Sequence, residues 1–162
     1  MYTTPLLILG ATLLGFAVDI VRAWPQIARD FRADSGGKKA FTVAKFLMLF
    51  MLLLSVAVQF NDPDWLLWMF LYGFAARETV LALRKQYTIW VPIGLACYVI
   101  YAIYWMPNEM VEHPSNLLLD LRMHEKGVEE VREDGGLFLT AAWMLAMTVA
   151  WARSPGPQTE TK

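Results

Sequence analysis

Five long apolar runs constrain this chain more than any other feature of its sequence. Hydrophobic residues make up 57% of its 162 residues and charged residues 18%, whereas ordinary soluble domains are roughly 25% charged. A membrane-spanning helix needs about 20 mainly apolar residues, so the chain has room for four or five spans but not for a separate soluble catalytic domain. We therefore predict an all-α polytopic membrane protein. Its five transmembrane helices are predicted at residues 5–24, 42–60, 65–83, 87–106 and 137–152.

The segments around these spans differ in character. Residues 1–152 are predicted to form one integral membrane domain, followed by a disordered polar tail at 153–162. The first run lacks the basic region and cleavage site of a signal peptide, so we predict a retained helix. Residues 25–41 are charged and contain Ser35-Gly36-Gly37, which predicts a loop or a short surface helix. Lys45, at one end of the second span, can snorkel to the membrane surface.

The distribution of charge predicts an orientation. With the turn at residues 61–64 and the loop at 107–136 placed outside, the outer set holds three cations against ten acids, and the inner set holds eleven cations against five acids. Cytoplasmic loops retain Lys and Arg, so we expect the amino end outside and the carboxyl end inside a plasma (inner) membrane. Six of the seven tryptophans fall at predicted span ends, where such anchors meet headgroups: Trp24, Trp65, Trp68, Trp90, Trp105 and Trp151.

Two motifs carry a family resemblance. The turn Gln59-Phe60-Asn61-Asp62-Pro63-Asp64 leads into an aromatic helix that begins Trp65-Leu66-Leu67-Trp68, and an acidic segment, 129–136, precedes the last span. Over about residues 42–152 the chain resembles the transmembrane protein 220 family, small four-span membrane proteins with this turn between their first two spans and a Glu-rich segment before the last. The resemblance implies a four-span core with an added amino-terminal span. It implies no reaction.

The polar residues of the turn have two interpretations. Asp62-Pro63 with Asp64 suits a helix start, since Asp caps free amides and Pro fits the first helical position. Alternatively, the turn joins the acidic segment in an outer cluster, whose carboxylates repel one another unless an Arg, a proton or a divalent cation such as calcium compensates. The candidate cluster comprises Gln59, Asn61, Asp62, Asp64, Glu129, Glu130, Arg132 and Glu133.

Two further groups of polar residues are candidates for function. Asp62, Asp64, His124 and Glu133 could hold a metal ion, although a histidine in a polar loop is ordinarily solvated. Inside the membrane, we predict that Asp19 pairs with Arg77, or Arg22 with Glu78, because adjacent residues on one helix diverge by about 100°. The alternative is that each of these four charges snorkels to the cytosolic surface.

Other functional classes are weakly supported. The nucleophile-elbow, Walker and His-Glu-x-x-His motifs and a cysteine pair are absent from the sequence, and the net charge of -1 gives no nucleic-acid footprint. Pro25-Gln26 is similar to the Pro-Gln loop of small sugar and amino-acid transporters, but Pro157-Gln158 shows that the pair arises by chance. Cys97 is interpreted as a packing residue.

These observations favour an interaction or accessory component of a membrane assembly, with an acidic outer face and no catalysis. The alternative is a membrane enzyme or divalent-cation-binding protein that uses the outer Asp, Glu and His residues, and the third is a small-solute transporter. The expected partners are membrane lipid and other membrane proteins, not nucleic acid. A divalent cation is the one cofactor that the acidic residues suggest.

The cation hypothesis makes a direct prediction. If the outer cluster binds a divalent cation, metal analysis of the purified protein detects bound metal, and Asp64→Ala and Glu133→Ala each lower the amount because each removes a carboxylate ligand. Unchanged metal content in both folded variants would contradict the site.

Overall fold

The computed structural model describes residues 3–59, 64–105 and 126–154, with the backbone alone at 126–132. The described residues form five helices and no strand: α1 (Thr3–Ala33), α2 (Gly36–Val58), α3 (Trp65–Leu83), α4 (Trp90–Trp105) and α5 (Lys126–Ala152). Four of these contain apolar stretches long enough to cross a membrane, and α4 is a shorter apolar helix. The predicted all-helical membrane fold is confirmed.

The first helix is longer than the sequence analysis predicts. It continues through Pro25 to Ala33, and α2 begins at Gly36, so residues 25–41 form neither the expected loop nor a separate short surface helix. Proline removes one backbone N–H, which membrane helices tolerate. Beyond it, Ile27 is buried and Asp30 forms an ion pair with Lys85, so contacts with the rest of the chain support a charged segment that would be a weak helix alone.

A two-residue link, residues 34–35, joins α1 to α2. Ser35 occupies the N-cap position of α2 with an extended backbone, and Gly36 and Gly37 form the first turn of that helix. The predicted glycine-rich loop is therefore a helix start. Farther along the two helices, the rings of Trp24 and Phe46 meet edge to face with centroids 6.1 Å apart.

Helices α1 to α3 lie within one compact unit, Met1–Thr88. Helix α2 packs along α3, and α1 contacts both of them. One face of α2 buries Leu49, Leu52 and Val56, whose spacing of three and four residues is that of a single helical face. Helix α3 is the most buried of the three and forms the core of this unit.

Helices α4 and α5 belong to the second unit, Ile89–Lys162, and pack against each other. Helix α5 buries Leu137, Met144 and Met147 along one face. It begins at Lys126, eleven residues before the predicted span, because Gly135 and Gly136 continue the helix instead of ending it. The prediction of one domain over residues 1–152 stays a prediction.

The tryptophans divide into two environments. Trp24 and Trp90 are 54% and 53% exposed, which suits interfacial anchors. Trp68 is fully buried and stacks on Tyr72 with ring centroids 5.9 Å apart. It therefore belongs to the packing core of α3, contrary to its predicted place among the span-end anchors.

Candidate functional site

The predicted outer turn is described only at its two ends. Gln59 follows α2 as its C-cap residue, and Asp64 occupies the N-cap position of α3, where its carbonyl accepts a hydrogen bond from the Leu67 amide at 2.9 Å. The Asp64 side chain makes no capping hydrogen bond. Asn61 and Asp62 lie outside the described residues. The helix start thus involves Asp64 as N-cap instead of the predicted Asp62.

The acidic segment lies on α5. The backbone is helical at Glu129, Glu130, Arg132 and Glu133, so Glu129 and Glu133 are one turn apart as predicted. His124 lies outside the described residues. Within the parts of the chain that the structure describes, no three His, Cys, Asp or Glu residues form a group able to hold a metal ion. The proposed cation site, half of whose residues are not described, stays a prediction.

The charged residues of α1 and α3 do not form the predicted pairs of Asp19 with Arg77 or of Arg22 with Glu78. Arg77 contacts the carboxylate of Glu78, its neighbour on α3. An unpaired buried carboxylate is costly, and the Glu78 side chain is fully buried while Arg77 is half exposed. The long, flexible Arg77 side chain can therefore bridge the 100° between successive positions. Among the described residues, neither Asp19 nor Arg22 forms an ion pair.

Glu78 has a second partner from the link that follows α3. The Thr88 hydroxyl donates a hydrogen bond to Oε2 of Glu78 at 2.6 Å. A guanidinium and a hydroxyl thus compensate one buried carboxylate, as buried charges require. Glu78 thereby ties the carboxyl-terminal half of α3 to the segment that leads into α4.

Lys45 is buried and does not snorkel as the sequence suggests. Its ammonium donates a hydrogen bond to the Ala82 carbonyl at 2.9 Å and lies 4.8 Å and 5.4 Å from the ring centroids of Phe41 and Tyr87. The last carbonyls of a helix carry partial negative charge. Lys45 of α2 therefore neutralises the carboxyl end of α3.

Tyr87 meets Lys45 as a neutral ring. Tyr87 lies in the link between α3 and α4, where burial raises the pKa of its phenol above the ordinary range, and the carboxylate of Asp34 raises the pKa further. The ring is uncharged at physiological pH. It therefore faces Lys45 as an aromatic surface.

The carboxyl end of α3 forms a Schellman motif, in which two amides beyond the helix bond back into its last turn. The Lys85 amide donates to the Ala82 carbonyl at 3.1 Å and the Gln86 amide to the Leu81 carbonyl at 2.9 Å. Lys85 has a φ of 58°, a conformation in which this motif usually carries glycine.

The ion pairs of the Lys85 side chain account for a lysine at this position. The Lys85 ammonium lies 3.5 Å from Asp30, near the end of α1, and 3.4 Å from Asp34, in the link that follows α1. Gln26 of α1 also donates to the Arg84 carbonyl at 3.4 Å. We call Gln26, Asp30, Asp34, Lys45 and Lys85 the junction cluster. It joins the ends of α1, α2 and α3, and its chemistry is that of a structural clamp.

A shallow cavity of about 490 Å³, largely open to the surroundings, lies between α1 and α3. Each α1 residue that lines it has an α3 counterpart 58 positions later, as in the pairs Gly15 with Gly73 and Asp19 with Arg77, and the same separation of 58 holds for the Gln26–Arg84 hydrogen bond. A constant difference in residue number means that the two helices run parallel. Asp19 and Arg77 therefore lie at the same depth, as predicted.

The walls of the cavity are mainly apolar, with aromatic and small side chains along both helices. Its charged lining residues, Asp19 and Arg77, occupy the end nearer the junction cluster.

Sequence reasoning missed the junction cluster. The available signals were a lysine inside an apolar run, Lys45, and two aspartates four residues apart, Asp30 and Asp34. These aspartates lie in the segment predicted as a loop or a short surface helix. That prediction does not place them beside the end of α3.

Comparison with known protein families gives a match over most of the chain. The family model described as "Transmembrane family 220, helix" matches residues 49–149. No curated protein matches significantly, and neither does any solved structure.

The Schellman motif predicts opposite effects of glycine at neighbouring positions. Lys85→Gly should be about 1 kcal/mol more stable than Lys85→Ala, because glycine removes the cost of a left-handed conformation. At Arg84, where φ is -84°, the glycine variant should instead be less stable than the alanine variant. Thermal unfolding in detergent measures both comparisons. Equal stability of the two Lys85 variants would contradict this account of the turn.

Proposed function

Because the chain belongs to transmembrane family 220, we propose that it is an interaction or accessory component of a membrane assembly in the plasma (inner) membrane. In this proposal α1 is the helix that contacts a partner. The amino end of the chain lies outside and the carboxyl end inside, so the acidic residues face outward and the basic residues face the cytosol.

The observation that carries the proposal is the uncovered face of α1. Leu7, Leu14 and Val21 are 74%, 65% and 72% exposed, and they recur every seven residues, the repeat of a helix-to-helix seam. We call these three residues the α1 seam. Large apolar side chains at this spacing suit knobs-into-holes packing against a partner helix.

The weak packing of α1 within its own chain also supports this role. In its most apolar stretch 6% of the residues are buried, against 56% for α3. Helix α1 precedes residue 49, where the family match begins. An added, sparsely packed helix is a suitable element for a contact that is particular to this chain.

The charge distribution is compatible with a partner on either side of the membrane. The outer segments carry ten acids and the inner segments eleven cations. Charged surfaces of opposite sign steer association and fix the orientation of partners more than they add affinity. The α1 seam would supply the apolar contact and the charged faces the selectivity.

The proposal is tested by substituting the α1 seam. The protein extracted from its native membrane in mild detergent should be recovered with a stoichiometric membrane partner, and Leu14→Ala with Val21→Ala should lower that recovery about tenfold or more because packing contacts are lost. Native mass spectrometry measures the partner-to-chain ratio.

The matched control is Ile100→Ala with Ile103→Ala on α4, since these isoleucines are 68% and 62% exposed and belong to a different helix. The control should retain the partner. Recovery of the chain without a stoichiometric partner, or equal loss in both double variants, would contradict the proposal.

A further inference from the structure

Helices α1 and α2 form a hairpin that ends at the two-residue link. The rings of Trp24 and Phe46 are in contact, and the Lys39 ammonium lies 5.9 Å from the ring centroid of Phe31. The residue numbers in each of these contacts add to 70. A constant sum means that the two helices run antiparallel and that residues with this sum lie at the same level.

Four cations therefore lie close together at the end of the hairpin. By the constant sum, Arg32 of α1 is level with Lys38 of α2. Arg29 and Lys39 lie within three residues of this level, about 4.5 Å along the helix axis. Arg29, Arg32 and Lys38 are exposed, and Lys39 is partly exposed. We call these four residues the hairpin patch.

The acids of the same segment do not neutralise the hairpin patch. Asp30 and Asp34 both pair with Lys85, whereas no residue of the patch forms an ion pair in the part of the chain that the structure describes. The patch and Lys85 together hold five cations against these two acids, a net charge of +3. The end of the hairpin is therefore strongly basic.

The hairpin patch lies at the depth of the phospholipid head groups. Phe41, which is level with Arg29, begins the apolar run of α2. On α1, Trp24 is 54% exposed and precedes Arg29 by about 7.5 Å along the axis. Exposed tryptophans lie where helices meet head groups, and the head-group layer is about 5–8 Å thick on each side. Long basic side chains within this distance can reach the phosphates.

An exposed aromatic ring among the cations favours lipid over a soluble acidic partner. Phe31 is 37% exposed and lies between Arg29 and Arg32 on the last turns of α1. A helix that exposes basic and aromatic side chains together is typical of the membrane interface. Cations next to a membrane span attract anionic lipids, so both kinds of exposed side chain find a partner at this depth.

We propose that the hairpin patch binds the phosphate groups of anionic phospholipids. Arg29 and Arg32 supply planar, bidentate N–H donors, and Lys38 and Lys39 supply compact positive charges. The α1 seam plays no part in this site, and lipid surrounds the hairpin in either orientation of the chain. Partner binding and lipid binding can therefore be tested separately.

Native mass spectrometry of the purified full chain measures the retention of two probes, phosphatidylglycerol and phosphatidylcholine of identical acyl chains. The wild type should retain the glycerol lipid about tenfold better or more, because this lipid has a net negative charge and the choline lipid has none. Arg32→Gln and Lys38→Gln should each lower this preference about fivefold, the effect of one cation beside an anionic lipid surface. Both side chains are exposed, so both variants should fold.

Two control variants separate the hairpin patch from net charge and from packing. Arg153→Gln removes the same charge from an exposed arginine that follows α5, and it should keep the preference of the wild type. Lys38→Arg changes the side chain but retains the positive charge, so it should also keep the preference.

Three results would overturn the proposal. The first is equal retention of the two lipids by the wild type. The second is an undiminished preference for the glycerol lipid in the double variant, Arg32→Gln with Lys38→Gln. The third is a loss in Arg153→Gln as large as the loss in either patch variant, which would show an effect of net charge alone.

Discussion

The last carbonyls of a helix have no donor within that helix, and this constraint governs the structure at the carboxyl end of α3. Helices satisfy most of their own backbone groups, but the last carbonyls of each helix need other donors. Lys45 supplies an ammonium from α2 to the Ala82 carbonyl, and Gln26 supplies an amide from α1 to the Arg84 carbonyl. The helix end is thereby neutralised by side chains from both neighbouring helices, and the same contacts fix the order and depth of the three helices.

The relative depth of α1 and α3 determines which residues line the cavity between them. The Gln26–Arg84 contact and the cavity lining share one separation of 58 residues, so a bond near the junction cluster sets the register along both helices. This register places Gly15 beside Gly73 and Asp19 beside Arg77. A change at the junction cluster should therefore alter the cavity, although the two lie turns apart along the helices.

The sequence predicted some elements closely and others poorly, for physical reasons. The bounds of α3 agree with prediction because polar residues, Asp64 and Arg84, flank its apolar run closely on both sides. Helices α1 and α5 are longer than predicted because charge, Pro25 and the glycines at 135–136 were interpreted as breaks, whereas tertiary contacts override such local preferences. The partner of Lys45 could not be predicted, since Ala82 lies on a distant segment of the chain. The contact between Glu78 and Arg77 could not be predicted either, since it depends on the rotation of the Arg77 side chain.

The proposed outer and inner faces depend on the orientation of the chain, with the acidic turn outside and the α1–α2 link in the cytosol. Cys97→Ser removes the one native cysteine. In this background, two variants, Asn61→Cys and Ser35→Cys, each carry a single cysteine that can be tested for labelling in intact cells with a membrane-impermeant maleimide. We expect labelling of Asn61→Cys in intact cells and labelling of Ser35→Cys only after permeabilisation. The reverse pattern would contradict the orientation and the proposed outer and inner faces together.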